Sequence, residues 1–301
     1  MHAEGRRDAV QPLEEIDIRD WSGSVLPEMR AKAADALESG RVLFFPRLGF
    51  AMDEDERRFL SAALSSGDRK NITLNPDTGS SHGSDLDGED KRRLEAILQR
   101  FAASATELIW MLIPAYAGNL ERARTTFRPV EIAGRDYSPK KDDRLLHVDA
   151  FPSRPTGGRR ILRLFTNINP DGKSRVWRVG ENFQDFATAF LPKLRRQYPL
   201  EALTLSLLGI TKGRRSPYDQ LMLQLHDRGK LDAGYQQRAP QSEIAFPPNS
   251  TWICYTDQVL HAALSGQFAL EQTFHLDVAH MVDAYRSPIK ILERLTKTRL
   301  A

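Results

Sequence analysis

A chain of 301 residues, 41% of them hydrophobic and 28% charged, can bury a full core as one large domain or two small ones. Its formal net charge of +3 does not by itself point to a nucleic acid partner, and no apolar run approaches the roughly 18 residues that a membrane-spanning helix requires. The single cysteine, Cys254, excludes an internal disulfide and a cysteine-rich metal cluster. The polar N-terminus has no apolar signal core, so we expect a reducing, cytoplasmic location.

The first 118 residues carry mainly helical patterns. The helical segments are recognised by the spacing of their apolar residues. Acidic residues mark their starts, and glycine or proline marks their ends. A long polar stretch over 75–90 is a candidate lid over a site. The other predicted elements here are a helix over 26–40, a buried strand over 41–46, a helix over 52–64 and a long helix over 90–116.

From about residue 119 the pattern changes to short strands separated by turns, which is typical of a sandwich or barrel. Two segments with helical spacing, 181–199 and 216–229, predict a helical insert at about 181–238. An amphipathic, basic helix is predicted over 282–300. The strand candidates are 125–133, 144–150, 159–170, 174–180, 242–248, 250–257, 261–266 and 267–278.

The motif His147-Val148-Asp149 follows an apolar pair and precedes the turn-forming Pro152, as expected at the end of a strand. Side chains at positions i and i+2 of a strand point to the same side, so His147 and Asp149 can reach one metal ion. Two histidines and one carboxylate bind Fe(II) and leave positions open for a cosubstrate and oxygen. The bare motif is weak evidence, because chance predicts about half a match in this composition.

A second match to the motif, His275-Leu276-Asp277, lies close to the C-terminus. Too few residues follow it for several more barrel strands, and the only later histidine, His280, is too near to complete the site. We therefore interpret His275 as a histidine of the core or of a strand face.

A third ligand should come from a strand later than His147. His261 follows a Pro-Pro turn, an apolar strand and a short turn. A lone histidine is more often structural, but chain order and strand context together favour His261 as the ligand. His82 lies in a polar loop and His226 in a predicted helix, so neither competes well.

A 2-oxoglutarate cosubstrate has two carboxylates, of which one chelates iron and the other needs a cation deep in the barrel. In the run 159–170, a period of 2 aligns Arg163 with Ile161 and Asn167 on one face. An arginine among apolar side chains is costly to bury unless an anion meets it. Arg163 is therefore the candidate cation for the second carboxylate of the cosubstrate. Asn167 and Gln272 are predicted as further cosubstrate contacts. The alternative is an arginine that pairs with an ordinary Asp or Glu.

Basic side chains cluster in three parts of the sequence. Each cluster could bind an anionic group, and it could equally well be ordinary solvated surface. The clusters are Arg122, Arg124 and Arg128; Arg154, Arg159, Arg160 and Arg163; and Lys212, Arg214 and Arg215.

Four segments resemble the Fe(II)/2-oxoglutarate-dependent dioxygenase superfamily and, within it, the Kdo hydroxylase family, which modifies the Kdo sugar of the lipopolysaccharide inner core. The four segments agree in order, and the resemblance covers roughly residues 120–280. They are 127–135, 142–170, 175–183 and 252–276.

The resemblance implies an α+β fold that contains a double-stranded β-helix, or jelly-roll barrel. In a single oxygenase domain, 1–301, this barrel with its helical insert would occupy 119–280. The mainly helical segment 1–118 would buttress it, and a C-terminal helix would occupy 281–301.

The resemblance also implies the chemistry. His147, Asp149 and His261 would bind Fe(II), and the enzyme would consume 2-oxoglutarate and O2 to hydroxylate Kdo at carbon 3, which gives the related sugar Ko, succinate and carbon dioxide. Many such oxygenases place an arginine or lysine about ten residues beyond the distal histidine. Here Glu271 and Gln272 occupy that stretch, which leaves Arg163 as the inferred substitute.

A Kdo-lipid A type glycolipid would bring a sugar carboxylate and lipid phosphates. Contact with a membrane surface follows as a hypothesis, since the segment 285–300 mixes Ile and Leu with Lys and Arg as interfacial helices do. The alternative is a helix that caps the barrel or forms a dimer contact. The candidate substrate-binding residues are Arg128, Arg154, Arg159 and Arg160.

Three other functions remain open from the sequence. The first is a 2-oxoglutarate oxygenase that acts on another sugar, a lipid or a small acid. The second is a non-catalytic jelly-roll protein that binds sugar. The third is a zinc hydrolase on a similar barrel, although the chain has no HExxH or comparable signature.

Overall fold

The structure is a computed structural model that describes residues 11–66, 69–134, 137–195 and 215–301. Lys212 and Arg214 of the third basic cluster lie outside the described residues, as do residues 196–199 of the helix predicted over 181–199. Within the described part that helix is shorter than predicted: it ends at Phe190, and the 3-10 turn Leu191–Lys193 follows. Within the described residues the chain has the predicted α+β class, with helices before, between and after the strands.

The described helices begin mostly at residues that suit a helix start. Pro27 opens α1, and Ser216 with Asp219 forms a capping box at the start of α5. The helices are α1 Pro27–Glu38, α2 Glu54–Arg57, α3 Gly88–Leu112, α4 Phe183–Phe190, α5 Pro217–Leu231, α6 Ala233–Arg238 and α7 Pro288–Thr296. Short 3-10 turns are Ala62–Leu64, Pro114–Tyr116, Pro139–Lys141, Leu191–Lys193, Val278–His280 and Ala284–Arg286.

The strands form a large sheet in the order β1-β2-β9-β6-β11-β5-β3-β4 and a small sheet in the order β10-β7-β8. Pairing is antiparallel except between β1 and β2. The strands are β1 Leu13–Glu15, β2 Val42–Phe45, β3 Ile72–Leu74, β4 Ser81–His82, β5 Leu120–Arg128, β6 Arg160–Asn167, β7 Arg175–Gly180, β8 Gln241–Phe246, β9 Thr251–Tyr255, β10 His261–Ser265 and β11 Ala269–Leu276.

Aromatic side chains join the two sheets. Phe165 of β6 lies edge-on to Trp177 of β7, with ring centroids 4.9 Å apart, and Phe246 of β8 stacks on Trp252 of β9 at 4.1 Å. Such rings bury a large apolar area and prefer these geometries. Their packing holds β7 close to β6 and β9, the neighbourhood in which the candidate site lies.

Helices cover the other face of the large sheet. The apolar stripe of α3 buries Leu98, Phe101 and Leu108 completely, and the same core cluster includes Leu37 of α1 and Phe274 of β11. A helix with one apolar face gains stability mainly from this burial. The predicted buttressing of the strands by the N-terminal helices is thereby confirmed.

The C-terminal helix α7 packs inward. Ile291 and Leu292 are 7% and 0% exposed and belong to a second core cluster with Phe186 and Phe190 of α4 and Leu225 of α5. The apolar face of the predicted basic helix is therefore used inside the protein, as in the capping alternative.

Several predicted helices are shorter in the structure. The helix predicted over 52–64 is only α2 and a 3-10 turn, because Ser61 adopts an extended backbone and its hydroxyl accepts from Ala63 N. The helix predicted over 90–116 ends at Leu112, two residues before Pro114.

The strand predicted over 125–133 ends at Arg128, because Pro129 has no N–H for the ladder. The strand predicted over 144–150 is an extended segment that pairs through a single bridge, between His147 and His261. Among the helices of the described residues, none combines the length and the hydropathy that a bilayer span requires.

Candidate metal centre and its pocket

Two histidines and one aspartate meet where the extended segment 144–150 pairs with the first residue of β10. His147 N donates to His261 O at 3.1 Å and His261 N donates to His147 O at 2.9 Å, which places the two ring centroids 4.6 Å apart. Asp149 N donates to Thr256 O at 2.7 Å and so fixes the aspartate beside them. The ligand atoms of the three side chains all lie within 4.8 Å of one another, an arrangement suited to one metal ion.

Backbone carbonyls set the position of the proton on both histidines. Nδ1 of His147 lies 2.7 Å from Leu145 O, and Nδ1 of His261 lies 2.8 Å from Val259 O. Because a carbonyl oxygen only accepts, each Nδ1 carries the proton and each Nε2 keeps its lone pair. Both Nε2 atoms are therefore ready to bind a metal.

The protonation states also suit a metal. Burial lowers the pKa of His147 and of His261, which keeps both rings neutral. Burial acts to raise the pKa of Asp149, but Arg163 and then the two histidines lower it below its ordinary range. Neutral imidazoles and an ionised carboxylate are the forms that coordinate a divalent ion.

A pocket beside these three residues is lined by arginines. Arg163 Nη2 lies 3.1 Å from Asp149 Oδ2, and Arg163 Nε lies 3.5 Å from Glu271 Oε1. Arg128 donates to Glu271 Oε2 from Nε at 2.8 Å and from Nη2 at 2.5 Å. Arg163 thus lines the predicted pocket, and Asp149 and Glu271 share its charge.

Two residues of β7 present unpaired donors at the same pocket. Arg175 is 2% exposed and donates to Gly266 O at 3.2 Å, while its Nε has no partner in the described structure. Burial, and next the charge of Arg128, lower the pKa of Arg175 to about 9. Trp177 stacks on His261 with ring centroids 5.3 Å apart, and its Nε1–H is also buried without a partner. Buried donors in this state match a ligand carboxylate.

Three predicted site residues have protein partners away from the pocket. Asn167 donates to two backbone carbonyls at 2.9 and 3.0 Å. Gln272 accepts from Thr125 Oγ1 at 2.6 Å, and its amide donates to backbone carbonyls. Arg160 is fully buried against Asp257, with Nε 2.8 Å from Oδ2. In this structure all three side chains bond to groups of the protein itself, and their roles in binding cosubstrate or substrate stay predictions.

The other predicted substrate-binding arginines lie in different places. Arg128 lines the pocket. Arg159 forms an ion pair with Glu121 at the surface. Arg154 is exposed and lies near Arg124, whose pKa is lowered by burial and next by the charge of Arg154.

His275 and Asp277 form the second His-X-Asp motif. Their environment agrees with the interpretation of His275 as a histidine of the core or of a strand face. His275 Nδ1 lies 3.3 Å from Arg160 O across the β11–β6 ladder. Asp277 caps the following turn by accepting from Ala279 N at 2.9 Å.

Sequence reasoning missed Arg175, Trp177 and the nearness of His226. The ring of His226, on α5, lies edge-on to that of His147 with centroids 5.4 Å apart. The alternation of Arg175, Trp177 and Val179 was visible in a predicted strand and could have indicated a shared face. No local signal shows which face of α5 meets the metal centre.

Solved structures show what the chain resembles. It is 48% identical to the Kdo hydroxylase KdoO, a non-haem Fe(II) 2-oxoglutarate-dependent dioxygenase crystallised with 2-oxoglutarate and Fe(III); the match covers 97% of this chain and 98% of that chain, with a TM-score of 0.93. The cobalt(II) complex of KdoO is 49% identical over 96% of this chain and 97% of that one, with a TM-score of 0.94. The fold and the site therefore define a non-haem Fe(II), 2-oxoglutarate-dependent dioxygenase.

A model of the 3-deoxy-D-manno-oct-2-ulosonic acid (Kdo) hydroxylase family matches residues 20–299. The chain belongs to this family, which confirms the resemblance seen in the sequence. A comparison with curated proteins gave no match.

Proposed function

We propose that this Kdo hydroxylase holds its iron with His147, Asp149 and His261. The observation that carries the proposal is the convergence of three buried ligand atoms within 4.8 Å, with both histidine Nε2 lone pairs left free by backbone carbonyls. Two histidines and a carboxylate are the ligands of non-haem Fe(II) oxygenases.

When bound, iron would activate O2 for attack on a C–H bond, with 2-oxoglutarate as the co-reductant. In the overall reaction, one oxygen atom of O2 enters succinate as carbon dioxide is released, and the other becomes the new hydroxyl group. Two of the four electrons come from 2-oxoglutarate and two from the C–H bond. The side chains of this protein position both molecules and exclude water around them.

The cosubstrate would be anchored by the donors that lack partners. Arg175 Nε, Trp177 Nε1 and Arg163 Nε are all buried without a hydrogen bond, and all three residues line the pocket next to the iron ligands. A carboxylate of 2-oxoglutarate would satisfy them, and Arg128 would add to the positive field. Arg163 is thus one member of the cosubstrate site, and Arg175 is its least compensated cation.

The substrate would be Kdo linked to lipid A, with hydroxylation at carbon 3 to give Ko. Exposed Arg154, with Arg124 near it, offers positive charge for a lipid phosphate outside the pocket. Arg159 would contribute only if it released Glu121. Arg154→Ala should weaken binding of Kdo-lipid A, and normal affinity in that variant would count against this assignment.

The two sheets would form the double-stranded β-helix of a jelly-roll barrel, within a single domain. The small sheet packs against the large one through Trp177, Phe246 and Trp252, and the metal ligands lie at the edge where the sheets meet. This arrangement supports a barrel with the site at its mouth.

Peripheral contact with a membrane surface would use side chains outside the apolar face of α7, since that face is buried. Val282 and Tyr285 are 62% and 74% exposed, and the exposed cations Arg294, Lys297 and Arg299 follow them in sequence. Val282→Ser with Tyr285→Ser should reduce flotation with anionic liposomes. Unchanged flotation would remove this region from the proposal.

Mass analysis of the product tests the function. With Fe(II), 2-oxoglutarate and O2, the protein should convert Kdo-lipid A to a product heavier by one oxygen atom, and His147→Ala should not. Product on another sugar, lipid or acid alone would favour a different oxygenase substrate. Sugar binding without Fe(II)-dependent oxygen uptake would favour a non-catalytic binding protein.

A further inference from the structure

Three basic side chains are buried in the described part of the chain: Arg160, Arg175 and Lys230. Arg160 has a carboxylate partner, Asp257. Arg175 has none and faces the proposed cosubstrate pocket. Lys230 is 4% exposed, and its ammonium has one hydrogen bond, to Lys140 O at 3.2 Å, with no carboxylate of the described residues in ion-pair contact. Two buried cations therefore lack an anion.

Lys230 lies on the side of α5 that faces the metal centre. It follows His226 by four residues, so the two side chains share one face of the helix. The ring of His226 lies edge-on to that of His147, with centroids 5.4 Å apart. Burial, and next the charge of Lys230, lower the pKa of His226, which agrees with an ammonium close to that ring.

The carboxylates whose charges act on Lys230 already have other cationic partners. Asp143 accepts from Lys70 Nζ at 2.7 Å, Asp149 Oδ2 lies 3.1 Å from Arg163 Nη2, and Asp142 pairs with Arg144. A lysine ordinarily extends its ammonium into water, and burying it without an anion is costly. One carbonyl oxygen compensates for little of that cost, so the arrangement fits a lysine that awaits a ligand anion.

We propose that Lys230 binds the carboxylate of the sugar-acid substrate, and so directs the sugar at the metal centre from the α5 side. This inference rests on the proposed function. A 3-deoxy-oct-2-ulosonic acid has its carboxyl group at carbon 1 and its unsubstituted carbon at position 3, two bonds away. Binding of the carboxylate by Lys230 therefore positions carbon 3, the carbon that is hydroxylated, while Arg175 binds a carboxylate of 2-oxoglutarate.

The test compares Kdo-lipid A with the same acceptor methylated on the Kdo carboxyl group. Wild-type enzyme should discriminate against the ester roughly 10- to 100-fold in KM, the range expected for one charge-assisted hydrogen bond. Lys230→Met should raise KM for the acid by a similar factor and remove the discrimination. Lys230→Arg should keep it, and KM for 2-oxoglutarate should stay constant in both.

Lys140→Met is the matched control, because it removes a cation from the same contact between α5 and the 139–141 turn without reaching the site. It should discriminate as the wild type does. Equal KM for acid and ester in the wild type would overturn the inference without reference to any variant. Retained discrimination in Lys230→Met would overturn it as well. If the wild type forms no hydroxylated Kdo at all, the proposed function falls and takes this inference with it.

Discussion

At the scale of single residues, β7 offers both a test and its control, because Arg175 and Arg178 point to opposite faces of the strand. Arg175→Met removes the buried cation that lacks a carboxylate, and we expect KM for 2-oxoglutarate to rise roughly 10- to 100-fold. Arg178→Met, on a half-exposed side chain, should leave it unchanged. Steady-state assays at varied 2-oxoglutarate measure both. A wild-type KM in Arg175→Met would contradict the assigned cosubstrate site.

The neighbouring arginines Arg159 and Arg160 provide a second test variant and its control. Arg160→Ala would leave Asp257 buried without its partner, and should destabilise the protein by about 3–5 kcal/mol. Arg159→Ala, which opens a surface pair with Glu121, should change stability by less than about 1 kcal/mol. Chemical denaturation measures both. Reduced substrate affinity at normal stability in Arg160→Ala would support the predicted role of this residue in substrate binding.

The sequence was sufficient to predict which residues lie together where their proximity depends on local spacing. His147 and Asp149 occupy positions i and i+2 of one extended segment, and their motif was visible directly. Arg163 was recognised as an arginine within an apolar strand. Nothing in the sequence indicated that the amides of Asn167 and Gln272 donate to backbone carbonyls. Partner choice depends on tertiary neighbours, and periodicity carries no information about them.

At the scale of elements, the turn between β10 and β11 supports the cosubstrate pocket. Gly266 has φ +121°, and a Cβ there would lie 2.8 Å from Arg175 Cα and from its Cγ. Gly266→Ala should therefore strain the turn, displace Arg175 and raise KM for 2-oxoglutarate. Gly172→Ala is the matched control, because Gly172 also has positive φ but open space around it. Equal KM values in the two variants would show that the turn does not position Arg175.

Elements were predicted correctly where the hydrophobic pattern agrees with the residues that start and stop an element, as in α1, α3, α5 and most strands of the two sheets. It failed where a single residue ended an element early, as Pro129 does for β5. The segment that carries His147 was predicted as a strand, yet it pairs through one bridge only. The packing of α5 against the metal centre could not be predicted, since it depends on contacts between residues distant in sequence.

At the scale of the whole molecule, metal binding should couple to stability. A ligand present at 100 times its Kd adds about 2.7 kcal/mol to a fold that binds it only when folded. Anaerobic addition of Fe(II) should therefore raise the thermal midpoint of the wild type, and a chelator should reverse the rise. His261→Ala should show neither change. An equal rise in that variant would place the stabilising iron elsewhere in the protein.

Anaerobic titration with Fe(II) and 2-oxoglutarate tests whether His147, Asp149 and His261 hold the iron. Iron bound per chain is measured together with the weak visible charge-transfer band. We expect one iron and the band in the wild type, and neither in Asp149→Ala. Wild-type iron content and an unchanged band in Asp149→Ala would contradict it.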